Sequence, residues 1–510
     1  MNTHAIAVEA VASRIRELHE SRIPFRVYHG STNSTRRSSR RADNTVDTSG
    51  LNRVLEVNTT AQTVLVEPNV PMDALVEATL AHDLIPLVVM EFPGITVGGG
   101  FSGTSGESSS FRHGAFEATV NMIEIVLATG EVTIASKTEK PDLYYGAASA
   151  FGTLGVITLL EVRLRPAKSY VALSYRLLTS FPDALTALQD ETVEGTKNDY
   201  VDAITFSPNS TVICTGHLAD APPPGTATQT FHRARDPWFY VHVQRIEAGL
   251  QKAKPGTVVT DYIPIVSYLF RYDRGAFWTG RYAYRYFLTP FNRITRYLLN
   301  PFMHTRVMYR ALHQSGLSDF YVVQDVGVPY DGAKEFTQWL DENLCVYPLW
   351  LCPLKVQRDK GARHGLHAEF AEPGTPDMLN FGVWGPVSFD RRECVRINKG
   401  LEKNVNALGG KKWLYAHAYY TEDEFWECYD RRAYEALREK YGAGDLPSVY
   451  DKVKVDVEAE ERAKRASVAA WLLSVFWGIW PFAGLYGVYR AVVGGDYLMQ
   501  KRKVTEGKEI

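Results

Sequence analysis

Two periodicities divide the chain. Near the N-terminus, Val8, Val11, Ile15 and Leu18 recur every three or four residues among Glu9, Arg14, Arg16 and Glu17. That spacing lines the apolar residues along one stripe of a helix, which docks on the domain it precedes. From residue 25 the pattern changes to short β-type runs separated by loops of glycine, serine and threonine. The runs cover 25–28, 51–57 and 63–66, and the last closes on Glu67-Pro68. Pro71 opens a helix that reaches about His82, because proline is tolerated in a first turn. Residues 84–89 are strand-like again. Pro86 confines them to a sheet edge, since proline has no N–H to give to a ladder. Residues 121–128 and 132–135 flank Thr129-Gly130 and predict a hairpin. The run TLGVITLLEVRLRP, from Thr153, ends this block.

Residues 171 to about 410 have another texture. Aromatic clusters such as PWFYVHV, YLFRYDRGAFW and RYAYRYFL alternate with strand-like segments such as 320–328. Aromatic clusters fill cores, and a flat apolar ligand would want the same residues in its pocket. Further on, Tyr415, His417 and Tyr419 alternate as on one face of a strand. Thr421 and Glu424 then stand at capping-box spacing. They predict a helix that carries Phe425 and Tyr429 on one face and stops at Gly442. Residues 466–489, ASVAAWLLSVFWGIWPFAGLYGVY, carry no charge. A helix of that length crosses a hydrocarbon core of about 30 Å, and its tryptophans and tyrosines suit the interfaces. Pro481 and three glycines also allow a shallow re-entrant hairpin. A buried helix, hydrophobic all round, is the third form. Basic residues flank both sides alike, so they do not orient the segment.

Composition narrows the function classes. The 510 residues include 56 Lys plus Arg and 58 Asp plus Glu, a formal charge of -2. A protein living on phosphate contacts is normally more basic, so nucleic-acid binding is not expected, despite the run Arg36, Arg37, Arg40 and Arg41. Five cysteines, at 214, 345, 352, 394 and 428, form no CxxC. Neither a disulfide scaffold nor a metal site is expected, and the spacing suits a reducing compartment.

The segment PGITVGGGFSGTSGESSSFRHG, residues 93–114, carries the first candidate chemistry. Gly98, Gly100 and Gly103 match G-x-G-x-x-G, a pattern that alone is weak. The residues that follow, Thr104 to Ser110, are mostly poor helix formers, so no helix is expected after the loop. No Lys-Ser/Thr ends it, which excludes a P-loop. The run reads as backbone N–H and hydroxyl donors lining a diphosphate, with glycine permitting close approach. A flexible surface loop is the alternative, but a second small-residue loop at 30–35 suits a shared ligand.

These marks carry a resemblance. The early HGSTNS loop, PGITVGGG, and PDLYYGAASAFGTLGVIT at 141–158 resemble the FAD-binding domain of the vanillyl-alcohol-oxidase or PCMH type. VGGGFSGTSGESSS, FYVVQDVGVP at 320–329, VYPLWLCPLK at 346–355 and WLYAHAYYTEDEFWECYDRRAYEALREKYG at 413–442 are similar to the Δ24-sterol reductases, over residues 25 to about 453. The resemblance implies an α+β fold. Its parts are a two-subdomain PCMH-type FAD-binding domain (1–168), an α+β substrate cap (169–412) and a return to the FAD domain (413–453); beyond the resemblance, the charge and hydropathy pattern adds a charged linker and the apolar membrane segment (454–510). It implies FAD contacts from Gly30, Ser31, Thr32, Asn33 and Ser34 of the early loop. Thr96, Val97, Gly98, Gly99, Gly103, Thr104, Glu107, Ser108 and Ser109 would add to these from the glycine run, and Gly155, Val156 and Ile157 from the last run. Many members attach the flavin to a histidine where Asn33 stands here, so the FAD is expected to be non-covalent; His29 reads as structural. The family's animal and plant members carry an N-terminal hydrophobic anchor, whereas the apolar segment here lies at the other end. An endoplasmic reticulum membrane enzyme with its catalytic domain facing the cytosol is expected.

The implied reaction sets a chemical demand. An isolated trisubstituted alkene has no carbonyl to polarise it, so hydride adds usefully only if a proton arrives as well. The site needs an acid in a dry pocket beside the flavin. Asp325, in the apolar run VVQDVGV, would have its pKa raised by desolvation. Asp325 with Tyr415 is the expected acid system, and Tyr419 and His417 are further candidates; each of the four also reads as a satisfied structural residue. Arg271, Arg274, Arg281 and Arg285 could meet the phosphates of NADPH or form a solvated helix face. The rival functions are a same-fold flavin oxidase or dehydrogenase, an alkene isomerase, and a non-catalytic sterol-binding membrane protein.

Overall fold

The N-terminal stripe forms the helix Thr3–Glu20, which buries Val8, Val11, Ile15 and Leu18 against the first unit. The computed structural model describes residues 3–30, 42–359 and 362–493. The β-type runs become strands β1 (Arg26–Tyr28), β2 (Thr45–Asp47), β3 (Val54–Asn58), β4 (Thr63–Val66), β5 (Leu84–Pro86), β6 (Val120–Leu127), β7 (Val132–Ser136) and β8 (Gly155–Pro166). β1 and β2 pair in parallel. The others form a sheet of order β3-β4-β8-β6-β7, with β5 paired to β8 alone, the edge position Pro86 requires. β8 is central because β4, β5 and β6 all pair with it, and from Val156 to Arg165 its buried residues alternate with less buried ones. Glu67, fully buried after β4, accepts from Arg53 Nη2 (2.8 Å) and lies 2.9 Å from His4 Nδ1, tying the N-terminal helix to this sheet.

The second unit is an antiparallel sheet built from β9 (Tyr170–Leu178), β10 (Tyr200–Ser207), β11 (Ser210–Ala219), β12 (Val258–Pro264), β13 (Tyr321–Pro329), β14 (Leu349–Leu354), β15 (Met378–Pro386) and β16 (Lys411–Lys412). Its order is β12-β9-β11-β10-β14-β15-β13-β16. One face packs on the helices Tyr330–Asn343 and Arg391–Ala407. The other carries an aromatic core that includes Trp238, Tyr272, Phe277, Trp350 and Trp384. Aromatics bury more area per residue than any other type, so this layer supplies much of the cap's hydrophobic stabilisation.

A buried ion pair within the cap lies at the seam with the first unit. Asp202, on β10, accepts from Arg271 Nη2 (2.8 Å), the Tyr272 hydroxyl (2.8 Å) and Trp350 Nε1 (3.1 Å). The Arg271 guanidinium lies 4.2 Å from the centre of the Tyr268 ring and 4.7 Å from that of Tyr272. From the first unit, the Ser108 carbonyl accepts from Val201 N (2.7 Å), and Ser108 Oγ lies 3.3 Å from the Tyr268 hydroxyl.

Two expected elements differ. Residues 413–420 are irregular rather than a strand, apart from an isolated bridge between Ala418 and Lys454. Each stretch there is spent on separate partners, so Tyr415, His417 and Tyr419 share no strand face. The predicted helix to Gly442 is two helices. Thr421 and Glu424 do form the capping box of Glu422–Cys428, but Tyr429 is extended and Asp430 starts Arg431–Lys440 by accepting from Ala433 N (2.9 Å). An aspartate that caps a new helix breaks the old one. Gly442 follows at φ +66. The second helix packs on the first unit: the Tyr434 hydroxyl donates to Thr153 Oγ1 (2.7 Å) and the Tyr441 hydroxyl to Asp142 (2.9 Å).

The apolar C-terminal segment is not one spanning helix. It folds as Val468–Gly478 and Phe482–Val493, which meet at Trp480-Pro481. Proline lacks the N–H and crowds the preceding turn, so it ends the first helix. Among the described residues no helix is long and apolar enough to cross a membrane. The second helix packs on Thr305–Ser315.

Replacing Asp202 with alanine leaves the Arg271 charge buried without its partner. We expect a loss of about 3–5 kcal/mol, read from urea unfolding, with part of it recovered in the Asp202→Ala, Arg271→Met double variant. An equal or larger loss in the double variant would show that packing, not charge, dominates there.

Candidate active site

The glycine run is itself a helix, Val97–Gly103, where a loop was expected; a single turn, Ser110–His113, follows. Propensity argues against it, since each glycine costs about 1 kcal/mol relative to alanine. Tertiary packing overrides that cost. A Cβ on Gly98 would lie 2.6 Å from Pro68 Cβ, and one on Gly100 would lie 2.3 Å from Met90 Cε. Thr96 caps the helix by accepting from Gly99 N, while Val97 N and Gly98 N donate to Val70 O and Pro68 O. These three N–H groups are therefore paired within the protein. Thr104, in the left-handed region at φ 50, ends the helix, and its hydroxyl lies 2.7 Å from that of Ser149.

A cavity of about 580 Å³ lies between the units. The first unit lines it with Thr96, Gly98, Gly99, Gly103, Thr104 and Gly155–Ile157. The cap contributes Phe277, Tyr309, Trp350, Trp384, Asp325 and Asn380, and Trp413 and Tyr415 complete that side. These residues fit a flavin nucleotide. A Cβ on Gly99 would meet only Thr96 Oγ1 (3.0 Å), and one on Gly103 only Ser105 Oγ (3.5 Å). Both glycines thus leave open a cradle that any larger side chain would fill. Gly30 is exposed at φ +73; Ser31, Thr32, Asn33 and Ser34 lie outside the described residues.

Four residues from the glycine segment lie behind the cavity wall. Val97 is in the hydrophobic core. The Glu107 carboxylate accepts from the Ser108 hydroxyl (2.9 Å), Ser109 N (3.0 Å) and the Ser109 hydroxyl, all buried. Burial raises the Glu107 pKa, partly offset by these bonds. Glu91, which lines the cavity, is raised well above the carboxylate range by burial and by the neighbouring Glu107. Nothing in the sequence VMEFPG marked it, because a glutamate before Phe-Pro reads as a loop residue.

Asp325 and Tyr415, 90 residues apart, come together at the cavity. The Tyr415 hydroxyl donates to Asp325 Oδ2 at 2.6 Å. Asn380 Nδ2 donates to Oδ1 at 3.3 Å, and Asn380 Oδ1 accepts from Trp413 Nε1 at 2.7 Å. The β13–β15 register sets Asp325 opposite Gly382. A Cβ on Gly382 would lie 2.4 Å from the Trp384 ring and 3.1 Å from Asp325 Oδ1, so glycine keeps room for both. Burial raises the Asp325 pKa to about 7 against the opposing bonds from Tyr415 and Asn380. Burial, and then the neighbouring Asp325, push the Tyr415 phenol well up, so its hydroxyl stays protonated. Asn380 was legible in principle, as the polar residue within the apolar strand MLNFGVWGP.

The other candidates lie elsewhere. The Tyr419 hydroxyl accepts from Arg391 Nη1 (3.3 Å) and its N–H donates to Glu402 (3.0 Å), away from the cavity wall. The His417 carbonyl accepts from Gln324 Nε2 (3.3 Å) and from Lys412 Nζ. Arg271 and Arg274 form neither a phosphate site nor a solvated face, because both are buried. Arg274 donates to Asn300 Oδ1 (2.7 Å) and to the carbonyls of Phe231, Ala234 and Asp236. Arg281 and Arg285 lie over the Phe291 and Tyr282 rings.

A glycine-walled cavity between an α/β unit and an antiparallel cap defines a two-unit flavoprotein. Residues 5–136 match the family described as FAD binding domain. The chain is 32% identical over 413 residues to the Delta(24)-sterol reductase of Homo sapiens, covering 78% of this chain and 76% of that one. It is 32% identical over 457 residues to the Delta(24)-sterol reductase of Arabidopsis thaliana, covering 83% and 79%. Its identity to the Delta(24)-sterol reductase homolog dhcr-24 of Caenorhabditis elegans is 27% over 422 residues, 78% and 77% of the two chains. The chain belongs to the Delta(24)-sterol reductase family.

Filling the cradle with Gly103→Leu is expected to lower the flavin retained on purification about tenfold or more, with far-ultraviolet circular dichroism unchanged. Full retention, read from the ratio of 450 to 280 nm absorbance, would show that the nucleotide does not lie against Gly103.

Proposed function

We propose that the protein reduces the side-chain Δ24 double bond of a sterol or related terpenoid, with non-covalent FAD and with NADPH as hydride donor. The hydrogen-bonded Asp325–Tyr415 pair at the cavity carries this reading. Reduction adds one proton and one hydride across the alkene. FAD, when bound and reduced by NADPH, supplies the hydride to the more substituted carbon. When Asp325 is protonated, below about pH 7, it donates in the shared hydrogen bond, which frees the Tyr415 hydroxyl proton for the less substituted carbon, and Asp325 replaces that proton as it leaves. Trp350, Trp384, Trp413 and Phe277 exclude water, which keeps the acid protonated near neutral pH and protects the electron-poor carbon from capture. Thr96, Gly98, Gly99, Gly103 and Gly155–Ile157 would hold the nucleotide, with the early loop through Ser31–Ser34 and Asn33 in place of an attaching histidine. Glu107, Ser108 and Ser109 support that wall from behind. Family membership favours an endoplasmic reticulum membrane enzyme facing the cytosol, and the apolar C-terminal helix pair suits a membrane partner.

Incubation with NADPH and a Δ24 sterol tests the reading by mass. A reductase adds two hydrogens, and in D₂O one of them is deuterium at the less substituted carbon. An unchanged mass would indicate an isomerase, and a loss of two hydrogens an oxidase.

The acid carries its own pH signature. A proton donor is competent while protonated, so kcat should be flat below about pH 7 and fall tenfold per unit above it. Asp325→Asn should lower kcat about 10²–10⁴-fold and abolish that limb. A retained limb in the variant would assign it to another group.

A further inference from the structure

The two C-terminal helices present opposite surfaces to opposite environments. On the inner side, Gly484 and Val488 of Phe482–Val493 line the cavity beside Leu312 and Ser315 of Thr305–Ser315. The contact is made by small residues. A Cβ on Gly484 would lie 2.3 Å from Tyr286 Cε1, and one on Gly487 would lie 2.4 Å from the Ala311 carbonyl. Trp480 Nε1 donates to Tyr286 O at 2.6 Å, fixing the turn between the helices to the cap. This helix is therefore one wall of the cavity, with Gly484 against the Tyr286 and Phe287 rings and Gly487 against the Ala311 carbonyl.

The outer side is apolar and exposed. Trp471, Leu472, Phe476, Trp480, Leu485 and Tyr489 are each 42–60% exposed. Leu288, one residue beyond the Phe287 ring that Gly484 touches, is 76% exposed. Soluble surfaces rarely carry so many neighbouring large apolar side chains without a partner. Several features select a lipid leaflet over a protein groove. Residues 466–489 carry no charge, tryptophan and tyrosine are dense, and cations stand at the ends: Arg462 and Arg465 before, Arg490 after. Aromatic and basic residues around an apolar face match the headgroup boundary of a bilayer that contains anionic lipid. The face is also continuous with a cavity walled by apolar residues, which fits a ligand dissolved in lipid.

We propose that this face docks the protein on one leaflet of a phospholipid bilayer, and that the apolar ligand enters the cavity there, beside Phe482–Val493, directly from the lipid. The docking stands on the face alone; the entry rests on the reading of the cavity as a sterol site. The helices lie in the leaflet and do not cross it.

The full chain is tested by flotation with vesicles of phosphatidylcholine and phosphatidylserine. Transfer of tritiated sterol is then measured from those vesicles and, separately, from cyclodextrin. The Leu472→Glu, Leu485→Glu double variant changes two outward residues that do not line the cavity. It should lose flotation about tenfold or more and take up vesicle sterol correspondingly more slowly. Uptake from cyclodextrin should stay within about twofold, which also shows that the variant folds. Unchanged flotation would overturn the docking. Wild-type dimers that the variant dissolves, with no vesicle binding by either, would assign the face to a second copy instead. Equal loss of uptake from both sources would overturn the entry route. Sterol uptake without any turnover would contradict the proposed reaction but leave docking and entry standing.

Discussion

The Asp202–Arg271 pair is the constraint on which the two-unit arrangement depends. Both charges are almost wholly buried, and charges so placed are tolerated only when paired and hydrogen-bonded. Their partners come from several parts of the molecule. Tyr272 comes from the segment after β12, Trp350 from β14, and Ser108 from the serine run that follows the glycine helix. Satisfying one carboxylate thus fixes the cap sheet against the aromatic layer, and Arg271 and Tyr268 carry that order to Ser108 of the first unit. An apolar interface of equal area would hold the units together but would let them slide; the directional bonds set the register.

That register sets the chemistry. Trp350 touches both Asp202 and the cavity, so the wall of the site belongs to the network that joins the units. Asp325 sits on β13 and faces Gly382 of β15 in the same sheet. A rigid sheet positions a carboxyl more narrowly than a loop would, which suits the proposed acid. Burial raises the Asp325 carboxyl, and the hydrogen bond from Tyr415 keeps it from rising further. A carboxyl left poised near neutrality can both hold a proton and release it, as acid catalysis requires.

Much of this was legible in the sequence, and the remainder was not, for separable physical reasons. The strand at 132–135 and the N-terminal helix were legible because their burial is one-sided, and those at 63–66 and 121–128 because they are short apolar runs bounded by turn residues. Thr421 and Glu424 marked a helix start because a capping box is local in sequence. The glycine helix was missed because its stability is not local: Pro68 and Met90, which fit against Gly98 and Gly100, are invisible to propensity. Arg271 read as a surface or phosphate-binding residue because nothing nearby signals Asp202, 69 positions upstream. The C-terminal segment was long enough to span, and Pro481 decided otherwise. Asp325 and Tyr415 were expected to act as one acid system, from what alkene reduction demands; their contact was not derivable from spacing. Glu91 lacked any mark, since burial alone makes it unusual.

The central claim is that this cavity couples NADPH to a sterol alkene through a flavin, and one anaerobic experiment addresses it directly. The purified protein is mixed with NADPH while flavin absorbance is followed, and a Δ24 sterol is then added. The account predicts bleaching by NADPH and recovery of the oxidised spectrum on addition of the sterol, slowed in Asp325→Asn. Bound flavin that stays oxidised with NADPH, or reduced flavin that no Δ24 sterol reoxidises, would contradict it.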